Sequence, residues 1–119
     1  MTIKELQDKA FGNALLHGFH HKGQNLGEQL MLIVSEISEA LEADRRGKRA
    51  DLTRYQALMG SATMDDFNRY VKDTVEDELA DAMIRIADLA GYLEINLEEH
   101  IKAKMKYNQS RPRKHGKRY

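Results

Sequence analysis

Apolar side chains recur at intervals of three and four residues in two long segments of the chain, and this spacing predicts amphipathic α-helices. In the first segment, residues 25–46, the apolar positions are Leu26, Leu30, Ile33, Ile37 and Leu41. In the second segment they are Val75, Leu79, Ala82, Met83, Ile86, Ala90 and Leu93. Because successive residues of an α-helix lie about 100° apart, each set lines one stripe, which we expect to face the core.

Four capping pairs predict where helices begin. In each pair a Thr or Asn side chain precedes an acidic residue by three positions: Thr2 with Glu5, Asn25 with Glu28, Thr63 with Asp66, and Asn96 with Glu99. Such caps accept hydrogen bonds from the free amides of the first turn, and the acidic residues complement the helix dipole. Glycines and the sequence GYLEIN mark the breaks, which predicts helices over residues 2–20, 25–46, 64–92 and 96–109. No segment shows a strand pattern, so we expect an all-α fold that resembles a four-helix bundle.

The length of the chain, 119 residues, fits one domain with a substantial core. We assign residues 1–109 to this domain and residues 110–119 to a basic C-terminal tail. No apolar run reaches the roughly 20 residues of a membrane span, and the N-terminal sequence MTIKELQDK lacks the apolar centre of a secretory signal, so we expect a cytoplasmic protein. The absence of cysteine excludes disulfides, thiolate zinc sites and cysteine nucleophiles.

The net charge of zero conceals an uneven distribution along the chain. Residues 1–100 carry 19 acidic and 11 basic residues, whereas residues 101–119 carry eight basic residues and no acidic one. A basic segment of this kind attracts anions, which include phosphates, nucleic acid and the acidic body of the protein itself. A solvated, frayed C-terminus is the alternative interpretation.

Two pairs of acidic residues flank the apolar stripes. Glu36 and Glu39 lie three positions apart in SEISEALEA, and Glu78 and Asp81 have the same spacing in VEDELADAMIRIADLAGYL. If the two helices pack antiparallel through their stripes, the four carboxylates converge at the edge of the interface. Two unit charges 4 Å apart repel by about 1–4 kcal/mol at effective dielectric constants of about 80 to 20, so such a cluster needs a counterion. Oxygen ligands favour Mg²⁺ or Mn²⁺.

Spacing alone leaves a second interpretation open. Acidic pairs three positions apart are common on solvated helices, and Asp81 with Arg85 also has the spacing of a surface ion pair. Iron chemistry is disfavoured, because a di-iron bundle carries Glu-x-x-His pairs that this chain lacks. His17, His20 and His21 form a cluster that fits a structural or substrate-facing role better than a zinc site.

Together these segments resemble the MazG-like family of all-α nucleoside triphosphate pyrophosphohydrolases. The resemblance is carried by SEISEALEA, by EDELADAMIRIADLAG and by KMKYNQSRPRKHGK, and it covers about residues 25–46 and 70–116. Glu36, Glu39, Glu78 and Asp81 match the ExxE…ExxD signature of the family. The resemblance implies a Mg²⁺-dependent enzyme that cleaves a nucleoside triphosphate between its α and β phosphates, giving a monophosphate and pyrophosphate. It also implies a helical core completed by dimerisation or tetramerisation.

The resemblance assigns roles to individual residues. The four signature acids are expected to bind Mg²⁺, for which Mn²⁺ is a possible substitute, and Glu39 is also expected to orient or deprotonate the attacking water. Lys104 and Asn108, which share a helix face at i, i+4, match the Lys and Asn positions of the family and are expected to hold phosphate oxygens. Arg85 is either the ion-pair partner of Asp81 or a further phosphate contact.

Two further groups are expected to contact the substrate. The basic tail is expected to close over the triphosphate through Arg111, Arg113, Lys114 and Lys117. In some relatives the first helix and the loop after it hold the nucleobase, so the resemblance implies contacts from Phe19, His20, His21 and Asn25. The chain lacks tryptophan, so the indole stack that some relatives use is absent, which argues against pyrimidine specificity.

Two other functions fit the sequence. A non-catalytic helical oligomer would use the apolar stripes and keep the acidic residues for solubility. A nucleic-acid-binding module would use the basic tail, although the body is acidic and only Tyr107 and Tyr119 are available there for stacking.

Overall fold

A computed structural model describes all 119 residues and consists of helices joined by turns. The six α-helices are α1 (Ile3–Leu16), α2 (Leu26–Arg45), α3 (Leu52–Ala57), α4 (Met64–Tyr70), α5 (Val75–Tyr92) and α6 (Leu97–Gln109), and a 3₁₀-helix covers Arg113–Gly116. The structure contains no strand, so the all-α prediction is confirmed. No helix has the length and apolar character needed to cross a membrane.

The predicted helix starts are confirmed. The side chains of Thr2, Asn25, Thr63 and Asn96 each accept a hydrogen bond from the backbone amide three residues later. The prediction of one helix over residues 64–92 is wrong, because the chain leaves the helix after Tyr70 and restarts at Val75. Asp73 has φ of 60° in the intervening turn. The hydroxyl of Thr74 then accepts from the amide of Asp77 at the start of α5.

The chain divides into two compact units. Unit 1 comprises Met1–His20 and Ala87–Tyr119, and unit 2 comprises His21–Ile86. In unit 1, α1 packs against α6. A Cβ atom added to Gly91 would lie 2.6 Å from Cβ of Phe11, so the absence of a side chain there permits a close approach. Gln7 is buried, and its Nε2 donates to the carbonyl of Ile95 at 2.8 Å.

In unit 2, the loop after α2 is fastened to the beginning of α5. The carboxylate of Glu76 accepts from the amide of Ala50 at 3.0 Å and from Nε of Arg49 at 2.7 Å. These hydrogen bonds lower the pKa of Glu76 to about 2, and the backbone donor Ala50 is the largest cause. The amide of Val75 also donates to the carbonyl of Lys48 at 3.2 Å. These hydrogen bonds fix the position of the loop, which contributes to the site described below.

The apolar stripe of α2 does not face the core, and that prediction is wrong. Leu26, Leu30, Ile37 and Leu41 are between 47 and 57% exposed. The buried residues of α2 are Glu36, Ala40 and Ala43. On α5 the small residues of the predicted stripe, Ala82 and Ala90, are buried, but Leu79 and Met83 are 48% exposed. Helical periodicity identifies residues that share a face, but it does not determine which face a single chain covers.

Candidate metal centre

Three carboxylates converge in unit 2. Glu36 comes from α2, and Glu78 and Asp81 come from adjacent turns of one face of α5. One oxygen of each lies within 4.8 Å of the other two. Glu36 is 7% exposed and Glu78 is 6% exposed, whereas Asp81 lies at the surface. Three of the four acidic residues singled out from the sequence are thus brought together.

The carboxylate of Glu36 has a cationic partner from the same chain. Nε of Arg85 donates to Oε1 of Glu36 in a short hydrogen-bonded ion pair. Arg85 was expected either to pair with Asp81 or to contact phosphate. The structure shows an ion pair, but its partner is Glu36 and not Asp81. The reason is geometric, since the guanidinium of Arg85 reaches across to α2 instead of back along its own helix.

Glu78 is buried without a cationic partner. No Lys, Arg or His nitrogen lies within 4.0 Å of its carboxylate, and the same is true of Asp81. Burial raises the pKa of Glu78 to about 7, and a hydrogen bond with Glu39 together with the negative charges of Glu39, Asp77 and Glu36 adds to the effect. Burial and the charges of Asp77 and Glu36 also raise the pKa of Asp81. The centre therefore carries more negative charge than its surroundings neutralise.

Glu39 lies beside Glu78 but outside the three-carboxylate cluster. Its side chain is exposed and lines a cleft in unit 2 of about 230 Å³. Glu78 lines the same cleft, which links the buried cluster to the surface. Glu39 therefore lies next to Glu78 but is not part of the cluster, so three of the four expected carboxylates converge.

A second group of carboxylates was not predicted from the sequence. Oxygens of Asp73, Asp77 and Glu78 lie within 4.8 Å of one another, so Glu78 belongs to both groups. Asp77 also accepts from the amide of Asp73 at 2.9 Å, which closes the turn before α5. The prediction of an unbroken helix over residues 64–92 concealed this turn. Thr74 precedes Asp77 by three positions, as in the other capping pairs, and this spacing was the available signal.

Two basic residues on the cleft were also missed. Arg46 and Lys48 line it together with Glu39, Asp73 and Glu78. They belong to the basic run DRRGKR, which directly follows the helix bearing Glu36 and Glu39. The position of this run next to the acidic signature was the signal that could have identified them.

The four residues expected to contact the nucleobase differ in burial and in hydrogen bonding. The side chain of His20 is 4% exposed in unit 1. Its Nε2 lies 2.5 Å from Oδ1 of Asp88, and its ring stacks on Tyr92 with centroids 4.8 Å apart. His21 is exposed, and its Nδ1 lies 3.2 Å from the carbonyl of Lys22. Asn25 caps α2. Phe19 is 68% exposed.

The expected phosphate contacts of the last helix belong to unit 1, whereas the acidic cluster belongs to unit 2. Nζ of Lys104 lies 4.9 Å from the ring centroid of Tyr107, and the guanidinium of Arg111 lies 5.4 Å from the same centroid. Oδ1 of Asn108 is buried without a hydrogen-bond partner. In the tail, Nη2 of Arg111 donates to the carbonyl of His115 at 3.1 Å, and Lys114 adopts φ of 55° within the 3₁₀-helix.

The donor set of the centre is chemically selective. Only carboxylate oxygens are available, with no thiolate or imidazole among them, and this set fits Mg²⁺ or Mn²⁺ better than zinc or copper. Comparisons with protein-family models, curated proteins and solved structures give no match to this chain. Any functional assignment therefore depends on the residues and geometry described above.

Proposed function

We propose that this protein is a Mg²⁺-dependent nucleoside triphosphate pyrophosphohydrolase. It would cleave the phosphoanhydride between the α and β phosphates and release a nucleoside monophosphate and pyrophosphate. The proposal combines the resemblance of the ExxE…ExxD acids to the MazG-like signature with the geometry of those acids in unit 2.

The strongest support for the proposal is the burial of Glu78 without a basic partner. Glu78 is buried beside Glu36 and Asp81, and no basic side chain is paired with it. An uncompensated buried carboxylate is unfavourable unless it is protonated or binds a cation. A divalent ion would be held by Glu36, Glu78 and Asp81. Its positive charge would stabilise the negative charge that develops on the phosphate oxygens during phosphoanhydride hydrolysis.

The side chains around the ion have separable tasks. Glu39, exposed beside Glu78, accepts a hydrogen bond from a water molecule and acts as the general base that takes its proton. The water oxygen bonds to the α phosphorus, the bond from this phosphorus to the bridging oxygen breaks, and pyrophosphate leaves with the bonding electron pair. Arg85 neutralises part of the charge of Glu36 through their ion pair. No protein nucleophile is needed.

The working form is proposed to be a homo-oligomer. Six apolar side chains are between 47 and 57% exposed in the single chain: Leu26, Leu30, Ile37 and Leu41 of α2, and Leu79 and Met83 of α5. Apolar surface of this continuity is typical of an interface. A second copy of the chain would cover it, in agreement with the dimers and tetramers that the resemblance implies.

The test is a panel of ribo-, deoxyribo- and oxidised nucleoside triphosphates assayed for pyrophosphate release with Mg²⁺ and with chelator. We expect release with Mg²⁺ only, from at least one triphosphate. Glu39→Gln and Asp81→Asn should each lower turnover by about 10²-fold or more. The matched control is Glu28→Gln, which changes an exposed acid in the first turn of the same helix as Glu39. Full turnover in both site variants contradicts the assignment.

A non-catalytic helical oligomer is the second candidate, favoured by the same exposed apolar stripe. It is distinguished by the assay above, since it predicts self-association without pyrophosphate release from any triphosphate. Under this alternative, Glu39→Gln leaves every measured property unchanged.

A further inference from the structure

Lys48 lines the acidic cleft, and hydrogen bonds hold both its backbone amide and its backbone carbonyl. The residue follows Gly47, which has φ of +67° and ends α2 in a Schellman motif. In that motif the amide of Gly47 donates to the carbonyl of Asp44 and the amide of Lys48 donates to the carbonyl of Ala43, both at 2.9 Å. The carbonyl of Lys48 accepts from the amide of Val75. Both peptide groups of Lys48 are thus held by helices that carry the metal-centre acids.

The ammonium group of Lys48 has no carboxylate partner. It lines the cleft with Glu39, Asp73 and Glu78, yet none of these acids lies within 4.0 Å of Nζ. Arg46, the other basic residue of the cleft, forms an ion pair with Glu42 at 3.2 Å through Nε, which leaves its terminal nitrogens outside that contact. The cleft therefore contains one unpaired cation, Lys48, and one cation, Arg46, that is paired with another residue of the cleft, Glu42.

The size and charge of the cleft limit what it can bind. At about 230 Å³ it is smaller than the roughly 300–1,000 Å³ pockets that enclose drug-sized ligands. It suits a compact charged group better than a whole nucleotide. Its acidic residues outnumber its basic ones, so an anion would enter only after a divalent cation has neutralised part of the negative charge.

We propose that Lys48, with Arg46, forms the subsite for the β and γ phosphates of the triphosphate and for the pyrophosphate that leaves. This inference rests on the proposed function, since it assigns a substrate-binding role within the same centre. The two cations contact the terminal phosphate oxygens, while the carboxylates of the cleft bind the phosphates only through a divalent cation. Lys48 is a substrate-binding residue that was not among the residues identified from the sequence.

The test is the binding of inorganic pyrophosphate, measured by calorimetry with Mg²⁺ and with chelator. We expect Mg²⁺-dependent binding to the unmodified protein and none in chelator. Lys48→Gln should weaken binding about tenfold or more, as expected for loss of a charge-assisted hydrogen bond, and Lys48→Arg should restore most of it. Lys9→Gln is the matched control, because it removes an exposed lysine of α1 that does not line the cleft.

The results separate this inference from the proposed function. Binding that is equal in Lys48→Gln and the unmodified protein overturns the subsite, even if triphosphates are hydrolysed. Binding that is weakened in Lys48→Gln without hydrolysis of any triphosphate supports the subsite and overturns the proposed function. Absence of both binding and hydrolysis in the unmodified protein overturns both. Thermal unfolding of each variant shows whether it is folded, and Lys48→Arg provides a second folded comparison.

Discussion

Arg85 of α5 donates from Nε to the buried carboxylate of Glu36 on α2, and this contact is the only salt bridge made by the three carboxylates of the centre. The guanidinium therefore neutralises part of the charge that a divalent cation would otherwise neutralise. The ion and Arg85 are expected to compete for Glu36, because each satisfies the same buried carboxylate.

Replacement of Arg85 tests this competition. In chelator, Arg85→Gln should lower the free energy of unfolding by about 1–3 kcal/mol, because Glu36 loses its charged donor. The loss should stay below the roughly 3–5 kcal/mol of a fully buried pair, since the Arg85 side chain is 42% exposed. Thermal unfolding followed by circular dichroism should show that Mg²⁺ stabilises the variant more than the unmodified protein.

Arg54→Gln is the control for that experiment. Its partner Asp51 lies 3.4 Å away and both side chains are exposed, so the expected loss is only about 0–1 kcal/mol. Equal stability of Arg85→Gln and the unmodified protein in chelator would show that the pair with Glu36 contributes nothing.

The raised pKa of Glu78 predicts how stability depends on pH when divalent cations are removed. A carboxyl with a pKa of 4.5 in the unfolded chain and about 7 in the folded protein binds more protons in the folded state between these values. Stability should therefore fall as the pH rises from 4.5 to 7, and the full loss is present above 7. Thermal unfolding across this range in chelator measures the fall.

Glu78→Gln supplies the control for the pH dependence. The amide does not titrate, so the variant should lack this part of the pH dependence while keeping contributions from other groups. A chelated protein whose stability is constant or increases across the range, with no difference between the variant and the unmodified protein, is incompatible with a raised pKa of Glu78.

The sequence was sufficient to predict local features of the structure. Thr2, Asn25, Thr63 and Asn96 cap helices as expected, because capping depends only on residues within one turn. The pairing of Glu78 with Asp81 on one face follows equally from helical spacing.

Features that depend on contacts distant in sequence were not predicted. Periodicity predicts that the apolar stripe of α2 faces the core, but Glu36, Ala40 and Ala43 are buried instead. Periodicity identifies residues that share a face, but it cannot determine which of two faces the single chain buries. Lys48 was missed for a related reason, because its position depends on a hydrogen bond to Val75, 27 residues away in the sequence.

The turn at Gly47 is expected to be necessary for the position of Lys48. Gly47→Ala has free space for its Cβ, but the left-handed conformation should cost about 1–2 kcal/mol of stability. Gly47→Ala should also weaken pyrophosphate binding, because it disturbs the turn that positions Lys48. Gly47→Asn is the matched variant, since Asn tolerates this conformation better. Denaturant unfolding and calorimetry measure both effects, and an Ala variant as stable as the Asn variant contradicts the prediction.

The close approach at Gly91 predicts a steric effect in unit 1. The Cβ atom of Gly91→Ala would lie 2.6 Å from Cβ and 2.9 Å from Cγ of Phe11. Because these two atoms lie close to the backbone of Phe11, a rotamer change cannot relieve the clash. We expect a loss of about 1–3 kcal/mol in denaturant unfolding. Gly12→Ala is the control, because nothing lies within 4 Å of the added atom, and it should be neutral or stabilising by up to about 1 kcal/mol. Equal stability of the two variants would contradict the prediction.

The exposed stripe of α2 predicts self-association that one charge can disrupt. Ile37 is 49% exposed at the middle of the stripe, so Ile37→Lys should leave the fold of the single chain intact. It should nevertheless convert an oligomer to a monomer, because a second copy would have to bury the lysine charge. Light scattering during size-exclusion chromatography measures the mass, and Leu16→Lys, at a position 86% exposed in unit 1, is the control. An unmodified protein that is monomeric at all concentrations, or an Ile37→Lys variant that remains oligomeric, would exclude this stripe as the interface.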